Sequence, residues 1–152
     1  LILAPGSAGR LGECVDVFRG SSISEHYFAE GGRLLNSLTK ALERGELWLA
    51  LTHNSSVAGV MRVVPRGFCG LYDYLSLIGT APSARGMGAG RFLMGEFERM
   101  ARERSCLRTS LMVSDFNAGA IGFYDSLGYW RLGTIPSAVK PGIAEHVLLK
   151  DL

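Results

Sequence analysis

Between residues 85 and 91 the chain reads Arg-Gly-Met-Gly-Ala-Gly-Arg, where an extended apolar run from Tyr74 to Thr80 gives way to a helical pattern beginning near Phe92. Glycine at three alternate positions ahead of a helix commits this region to a strand, a tight turn and a helix start. It also lets the backbone approach a ligand without Cβ atoms in the way, while the first helical turn leaves N–H groups with no partner inside the helix. Those donors and the positive end of the helix dipole suit a phosphate or pyrophosphate. A plain structural turn is the alternative reading. The dinucleotide fingerprint fails on spacing, because the sixth position is Arg91 counted from Gly86 and Leu93 counted from Gly88. The nucleotide-triphosphate loop fails too, since no Gly-Lys pair occurs in the chain.

A length of 152 residues suits one domain over 1–152. Hydrophobic content of 47% with 20% charged residues describes an ordinary globule, and no apolar run approaches the roughly 20 residues of a membrane span. A net charge of +2, with Lys and Arg interspersed among acids as in Glu98 to Arg104, gives no footprint for nucleic acid. The opening Leu-Ile-Leu-Ala-Pro lacks the basic lead and apolar core of a signal peptide, so secretion is unsupported, and three widely spaced cysteines fit a reduced cytoplasmic setting. Cys14, Cys69 and Cys106 are widely spaced, and neither they nor His26, His53 and His146 show metal-ligand spacing, so no metal is expected.

Periodicity outlines the rest. Leu1 to Ala4 reads as a first strand, and Leu11, Val15 and Phe18 mark a first helix. An amphipathic helix runs from Gly32 to Arg44, ended by Gly45. Glu46–Leu51 and Val57–Val64 form a hairpin across His53 to Ser56, and Leu71–Thr80 is a longer strand. Leu107–Val113, Tyr129–Ile135 and Ile143–Leu149 complete the strands, with a short helix over Ala118–Leu127. This alternation predicts an α/β protein with a mixed sheet and helices on both faces.

The pattern Arg85-x-x-Gly88-x-Gly90, with Pro82 three residues ahead, is followed downstream by Asn117, Ala120-Ile121-Gly122-Phe123-Tyr124 and Leu127-Gly128-Tyr129. The combination resembles the GNAT superfamily of acyl-CoA-dependent N-acyltransferases over residues 74 to 135, and the remainder in outline. That resemblance implies the GNAT fold: a mixed, mostly antiparallel sheet of six to seven strands whose parallel central strands splay apart. The pantetheine arm of coenzyme A, rich in amides, would fill the splay like an added strand.

Roles follow from the resemblance, residue by residue. Backbone N–H groups of Arg85, Gly86, Met87, Gly88, Ala89, Gly90 and Arg91 would cradle the pyrophosphate. Each flanking arginine either adds charge or is simply an exposed helix start. Ile78, Gly79 and Thr80 would line the pantetheine, and a backbone N–H of Leu71 to Thr80 would meet the oxyanion; a glycine inside a strand also hints at close backbone approach. Asn117 is either a contact to the pantetheine region or a helix cap. Tyr124 matches the tyrosine that protonates the departing thiolate, with a packed aromatic as the alternative. The glutamate that often serves relatives as base is missing. Ser76 stands nearest, and Asp73 is the candidate, as base through water or as a surface strand residue.

The expected activity is acetyl-CoA-dependent transfer of an acetyl group to a primary amine of a small molecule or peptide, by direct attack in a ternary complex. A coenzyme-A-binding module without catalysis, acting as sensor or interaction partner, is the alternative. The acceptor pocket is expected around Tyr27, Phe28, Phe68, Tyr72, Tyr74 and the loop Pro136–Gly142, whose aromatics favour a small or partly apolar amine held by cation–π contact. The family's habit of pairing through C-terminal strands points to Ile143–Leu149 for a homodimer.

Overall fold

The computed structural model describes all residues, 1–152. Seven strands, β1 (Ile2–Pro5), β2 (Leu47–Leu51), β3 (Val57–Phe68), β4 (Tyr72–Thr80), β5 (Arg108–Ser114), β6 (Trp130–Ile135) and β7 (Glu145–Asp151), make one mixed sheet ordered β1-β2-β3-β4-β5-β7-β6. Five helices accompany it: α1 (Leu11–Val17), α2 (Ser22–Tyr27), α3 (Arg33–Glu43), α4 (Ala89–Glu103) and α5 (Ala118–Ser126).

Strands β4 and β5 pair in parallel, over a short stretch. It matches Asp73 with Thr109, Tyr74 with Ser110 and Leu75 with Leu111. β4 then runs on to Thr80 and β5 to Ser114. β5 is instead fully paired on its other edge, antiparallel to β7 from Arg108↔Asp151 to Ser114↔Glu145. Strand β7 is therefore interior, paired with β5 and β6 alike, and the sheet edge belongs to β6, where Trp130, Leu132 and Ile135 are exposed.

By contacts the chain divides into two compact units, and the division falls within β3, β4 and α4. The first comprises Leu1–Val63 with Leu77–Phe97. Its core joins Cys14, Val17 and Phe18 to Leu34, Leu38 and Ala41 of α3 and to Leu47, Leu49 and Val60 of the strands. The spacing of Leu34, Leu38 and Ala41 is one face of a helix, which is why α3 folds against a sheet despite its polar outer side. The second comprises Val64–Ser76 with Glu98–Leu152 and buries Leu75, Leu111, Val113, Tyr124, Tyr129, Val147 and Leu149.

Several boundaries move. Helix α4 begins at Ala89 rather than near Phe92, so Gly90 belongs to its first turn. Strand β3 continues four residues past Val64, because Asp73 captures the Arg66 N–H and holds the hairpin end together. The stretch before Tyr27 forms the short helix α2, started by Ser21, whose Oγ accepts from the Ser24 N–H at 3.1 Å.

Candidate active site

In the first unit, the segment ahead of α4 turns on two glycines with left-handed backbone, Gly86 at φ 78° and Gly88 at φ 79°. An L side chain rarely adopts that region, so glycine is required at both. The Phe92 N–H reaches the Gly88 carbonyl at 2.9 Å, which places Ala89, Gly90 and Arg91 in the first turn, where N–H groups point out of the helix end. Arg85, Gly86, Met87, Gly88 and Arg91 are exposed, whereas Ala89 is buried and anchors the turn to the core. Ile78, Gly79 and Thr80 lie just upstream on β4, half-buried. At Gly79 the close neighbour is the protein itself: a Cβ there would stand 2.4 Å from the Phe18 ring. Packing alone thus accounts for glycine at this position.

In the second unit, Asp73 is completely buried rather than a surface strand residue. Its carboxylate accepts from the Arg66 N–H at 3.0 Å and from the Cys106 thiol at 3.5 Å, and it ion-pairs with Arg104. Arg66 in turn donates to the carbonyls of Leu71 and Arg104. Asp73 therefore locks the β3–β4 hairpin to the end of α4. Tyr124 is also buried, its ring edge-on to Tyr129 at 5.8 Å. Burial first, and the neighbouring Tyr74 second, push its hydroxyl well above the ordinary phenol value, so it stays protonated. Asn117 caps α5, its Oδ1 accepting from the Ala120 N–H at 3.2 Å.

The sequence matches the acetyltransferase (GNAT) family over residues 17–129, more than half of the chain. The chain belongs to the GNAT family. Among solved structures, nourseothricin acetyltransferase is 28% identical with a TM-score of 0.63; the match covers 69% of this chain and 64% of that one, so this chain spans less than two thirds of its length. The ribosomal-protein-alanine N-acetyltransferase of Brucella melitensis superposes over 100% of both chains at 23% identity and a TM-score of 0.77. Naa20 of Chaetomium thermophilum, solved with a bisubstrate analogue, is 17% identical over 100% of this chain and 87% of its own, at a TM-score of 0.76. The last two likenesses are likenesses of fold.

Within this GNAT chain the aromatic residues divide by unit. Tyr27 and Phe28 end α2 in the first, half-buried. Tyr72 and Tyr74 lie on β4 in the second. Tyr72 stacks on Phe68 at 6.1 Å and receives Arg108 both at its hydroxyl, 3.0 Å, and over its ring, 5.8 Å. The cation on that ring is the protein's own. Tyr74 is held protonated, by burial first and by the charge of Glu145 second. Glu145 is the acidic residue that sequence reasoning passed over. It is 4% exposed at the start of β7 and accepts from Ser114 Oγ at 2.7 Å. The one signal for it in sequence is a carboxylate heading the apolar run Val147 to Leu149.

Of the three free cysteines, Cys69 is exposed and the other two are buried. Cys14 is buried, its thiol pushed up to about 11 by burial and the adjacent Glu13, and Cys106 is spent on Asp73. No group of three or more His, Cys, Asp or Glu is arranged to hold a metal, and no helix is long and apolar enough to cross a membrane. A cleft of about 450 Å³ runs beside α3, lined by Glu30, Arg33, Asn36, Lys40, Arg44 and Arg62, and shares no residue with the glycine turn.

Proposed function

We propose that this chain is an acetyl-CoA-dependent N-acetyltransferase, its 152 residues working as one GNAT domain in the cytoplasm. The observation that carries the reading is the turn at Gly86 and Gly88, whose left-handed backbone opens α4 with an exposed N–H cluster. In this reading the N–H groups from Arg85 to Arg91 take the pyrophosphate, with the arginines adding charge. The β4 backbone from Ile78 through Gly79 to Thr80 lies beyond Leu75, the last residue paired with β5, and lines the pantetheine arm. Asn117 uses its carbonyl oxygen for the cap, which leaves the contact to the arm to its amide NH₂.

Bound acetyl-CoA supplies an activated thioester. The chain's own part is to orient it, exclude water and manage protons. Tyr124, protonated at every working pH, donates its O–H hydrogen to the sulfur as the C–S bond breaks. Asp73 is committed to Arg66, Arg104 and Cys106, and we assign it to holding the hairpin rather than to taking the acceptor's proton. The acceptor is a primary amine of a small molecule or peptide, and Tyr27, Phe28, Tyr72 and Tyr74 are the residues assigned to meet it. The 28%-identical relative, named for nourseothricin, supports the small-molecule end of that range.

Acetyl-CoA at about a hundred times its Kd should raise Tm by about 5 to 10 °C, from roughly 2.7 kcal/mol of linkage. Free thiol released from acetyl-CoA across a panel of amines then reports catalysis and acceptor together. A Tm rise with NAD and none with acetyl-CoA sinks the assignment, and binding without turnover on any amine turns it to a sensor.

A further inference from the structure

The cleft beside α3 lies within the first unit, and cations line it from two sides. On the helix, Arg33, Ser37, Lys40 and Arg44 recur at intervals of four, three and four, which at about 100° per residue gathers them within roughly 60° of the helix surface. That stripe runs beside the buried one of Leu34, Leu38 and Ala41, so it borders the sheet. The opposing residue is Arg62 of β3, two positions from the core residue Val60 and therefore on the same face. Arg62 is held in place: its Nε donates to Glu46 Oε2 at 2.8 Å, and its Nη2 lies 2.7 Å from the same oxygen. No buried side-chain nitrogen lacks a partner, so Nη1, which makes no bond within the protein, opens to solvent on the residue that lines the cleft. Four cations thus face one lining acid, Glu30, which stands 3.8 Å from Arg33. Lys40 and Arg44 are exposed and have no acidic partner, the neighbouring Glu43 included.

Like charges gathered at helical spacing repel one another, and an anion relieves them. We propose that this cleft is a second binding site, separate from the glycine turn, for an extended acidic peptide segment of a partner protein. From Arg33 to Arg44 the helix rises about 16 Å, which an extended strand crosses in about five residues. Carboxylates at alternate strand positions lie about 6.7 Å apart, close to the rise of roughly 6 Å between Lys40 and Arg44. The unbonded edge of the Arg62 fork suits a carboxylate from the other side. Asn36 and Ser37, neutral and also in the lining, offer donors and acceptors together, which a peptide backbone uses and a phosphate chain, lacking donors, does not. Single-stranded nucleic acid is held by aromatic side chains that stack its bases, and no aromatic residue lines this cleft. The site shares no residue with the glycine turn, so the proposal stands apart from the acetyltransferase reading.

The probe is a fluorescein-labelled, N-acetylated hexapeptide with glutamate at alternate positions and serine between, its binding to the full chain read by fluorescence anisotropy. It should bind at about 0.05 M salt and weaken about tenfold or more at about 0.5 M, where screening shortens the reach of each charge. The same peptide with glutamine for glutamate should not bind. Lys40→Gln with Arg44→Gln should weaken binding about tenfold or more. Both side chains are exposed, so this variant should melt with wild type or slightly above it, the repulsion being relieved. Arg19→Gln with Arg131→Gln removes the same charge from exposed positions outside the cleft and should leave binding within about twofold of wild type. Arg62→Lys keeps a charge beside Glu46 but withdraws the second edge of the fork, and should cost about threefold. No binding by the wild-type chain, equal losses in the two double variants, or a hexathymidine strand bound as tightly as the peptide overturns the proposal.

Discussion

The Phe18 ring lies against Gly79 so closely that a Cβ added to the glycine would meet Cε1 at 2.4 Å and Cζ at 2.8 Å. Phe18 is 1% exposed and has nowhere to retreat within the core of the first unit. Gly79→Ala should therefore cost about 1–3 kcal/mol through overpacking, a fall of roughly 2 to 12 °C in Tm. Adding Phe18→Leu to Gly79→Ala should cost less than the sum of the two single changes, because the clash is shared. Additive costs in thermal melts would show that the ring and the glycine are independent.

Arg104 and Asp73 form an asymmetric pair: the carboxylate is completely buried, the arginine side chain 34% exposed. Removing the arginine strands a buried charge, whereas removing the charge frees an arginine that water can reach. Arg104→Met should destabilise by about 3 kcal/mol, and Asp73→Asn by less, since its oxygen still accepts from the Arg66 N–H. Denaturant melts give the ranking. In the folded Asp73→Asn variant, kcat should stay within about threefold of wild type, as expected of a residue that holds the hairpin.

Tyr124→Phe removes one hydroxyl and leaves the ring packed on Tyr129. Turnover should fall tenfold or more, a general acid being worth about 10² to 10⁴, while the Tm rise with acetyl-CoA is unchanged. Unaltered turnover in the thiol-release assay would leave Tyr124 a packing residue.

Burial holds the hydroxyls of Tyr74, Tyr124 and Tyr129 above the ordinary phenol value of 10. Above that pH the unfolded chain releases protons that the folded chain retains, so stability is intact below about pH 10 and falls as pH rises, by up to about 1.4 kcal/mol per unit for each tyrosine. Denaturant melts from about pH 9 to 11 should show the slope. Tyr129→Phe should flatten it, at the pH-independent cost of the 2.9 Å hydrogen bond to Thr109.

Asn117 separates cap from ligand contact by substitution. Asn117→Ala loses the acceptor for the Ala120 N–H and should cost about 1 kcal/mol, or roughly 2 to 4 °C. Asn117→Ser keeps a cap and should keep that stability. If the amide NH₂ also touches the pantetheine, Asn117→Ser alone should weaken acetyl-CoA binding, read as a smaller Tm rise.

Local pattern made most of the elements legible. Glycine spacing located the turn ahead of α4, the Leu34, Leu38 and Ala41 stripe located α3, and Asn117 was legible as either a cap or a ligand contact. Each of these is a property of residues within a few positions of one another, governed by backbone freedom, helical period or a reach of three residues. The family pattern from Arg85 to Tyr129 is equally local, which is why the chain's kinship was readable before its fold.

What decided the site chemistry lies between residues far apart in sequence. Asp73 looked available until Arg104, 31 positions on, and Arg66 closed around it. Gly79 looked like an opening for a ligand until Phe18 filled the space above it. Glu145 carried little signal until β7 slipped between β5 and β6 and brought it against Ser114, 31 positions earlier, on the face of Tyr74. The amino-acid order determined the glycine turn, the helical stripes and the family. Only the tertiary structure decided that Asp73 is spent and that Glu145 lies on the face of Tyr74, because strand order and pairing register assign side chains to faces, and no local periodicity encodes them.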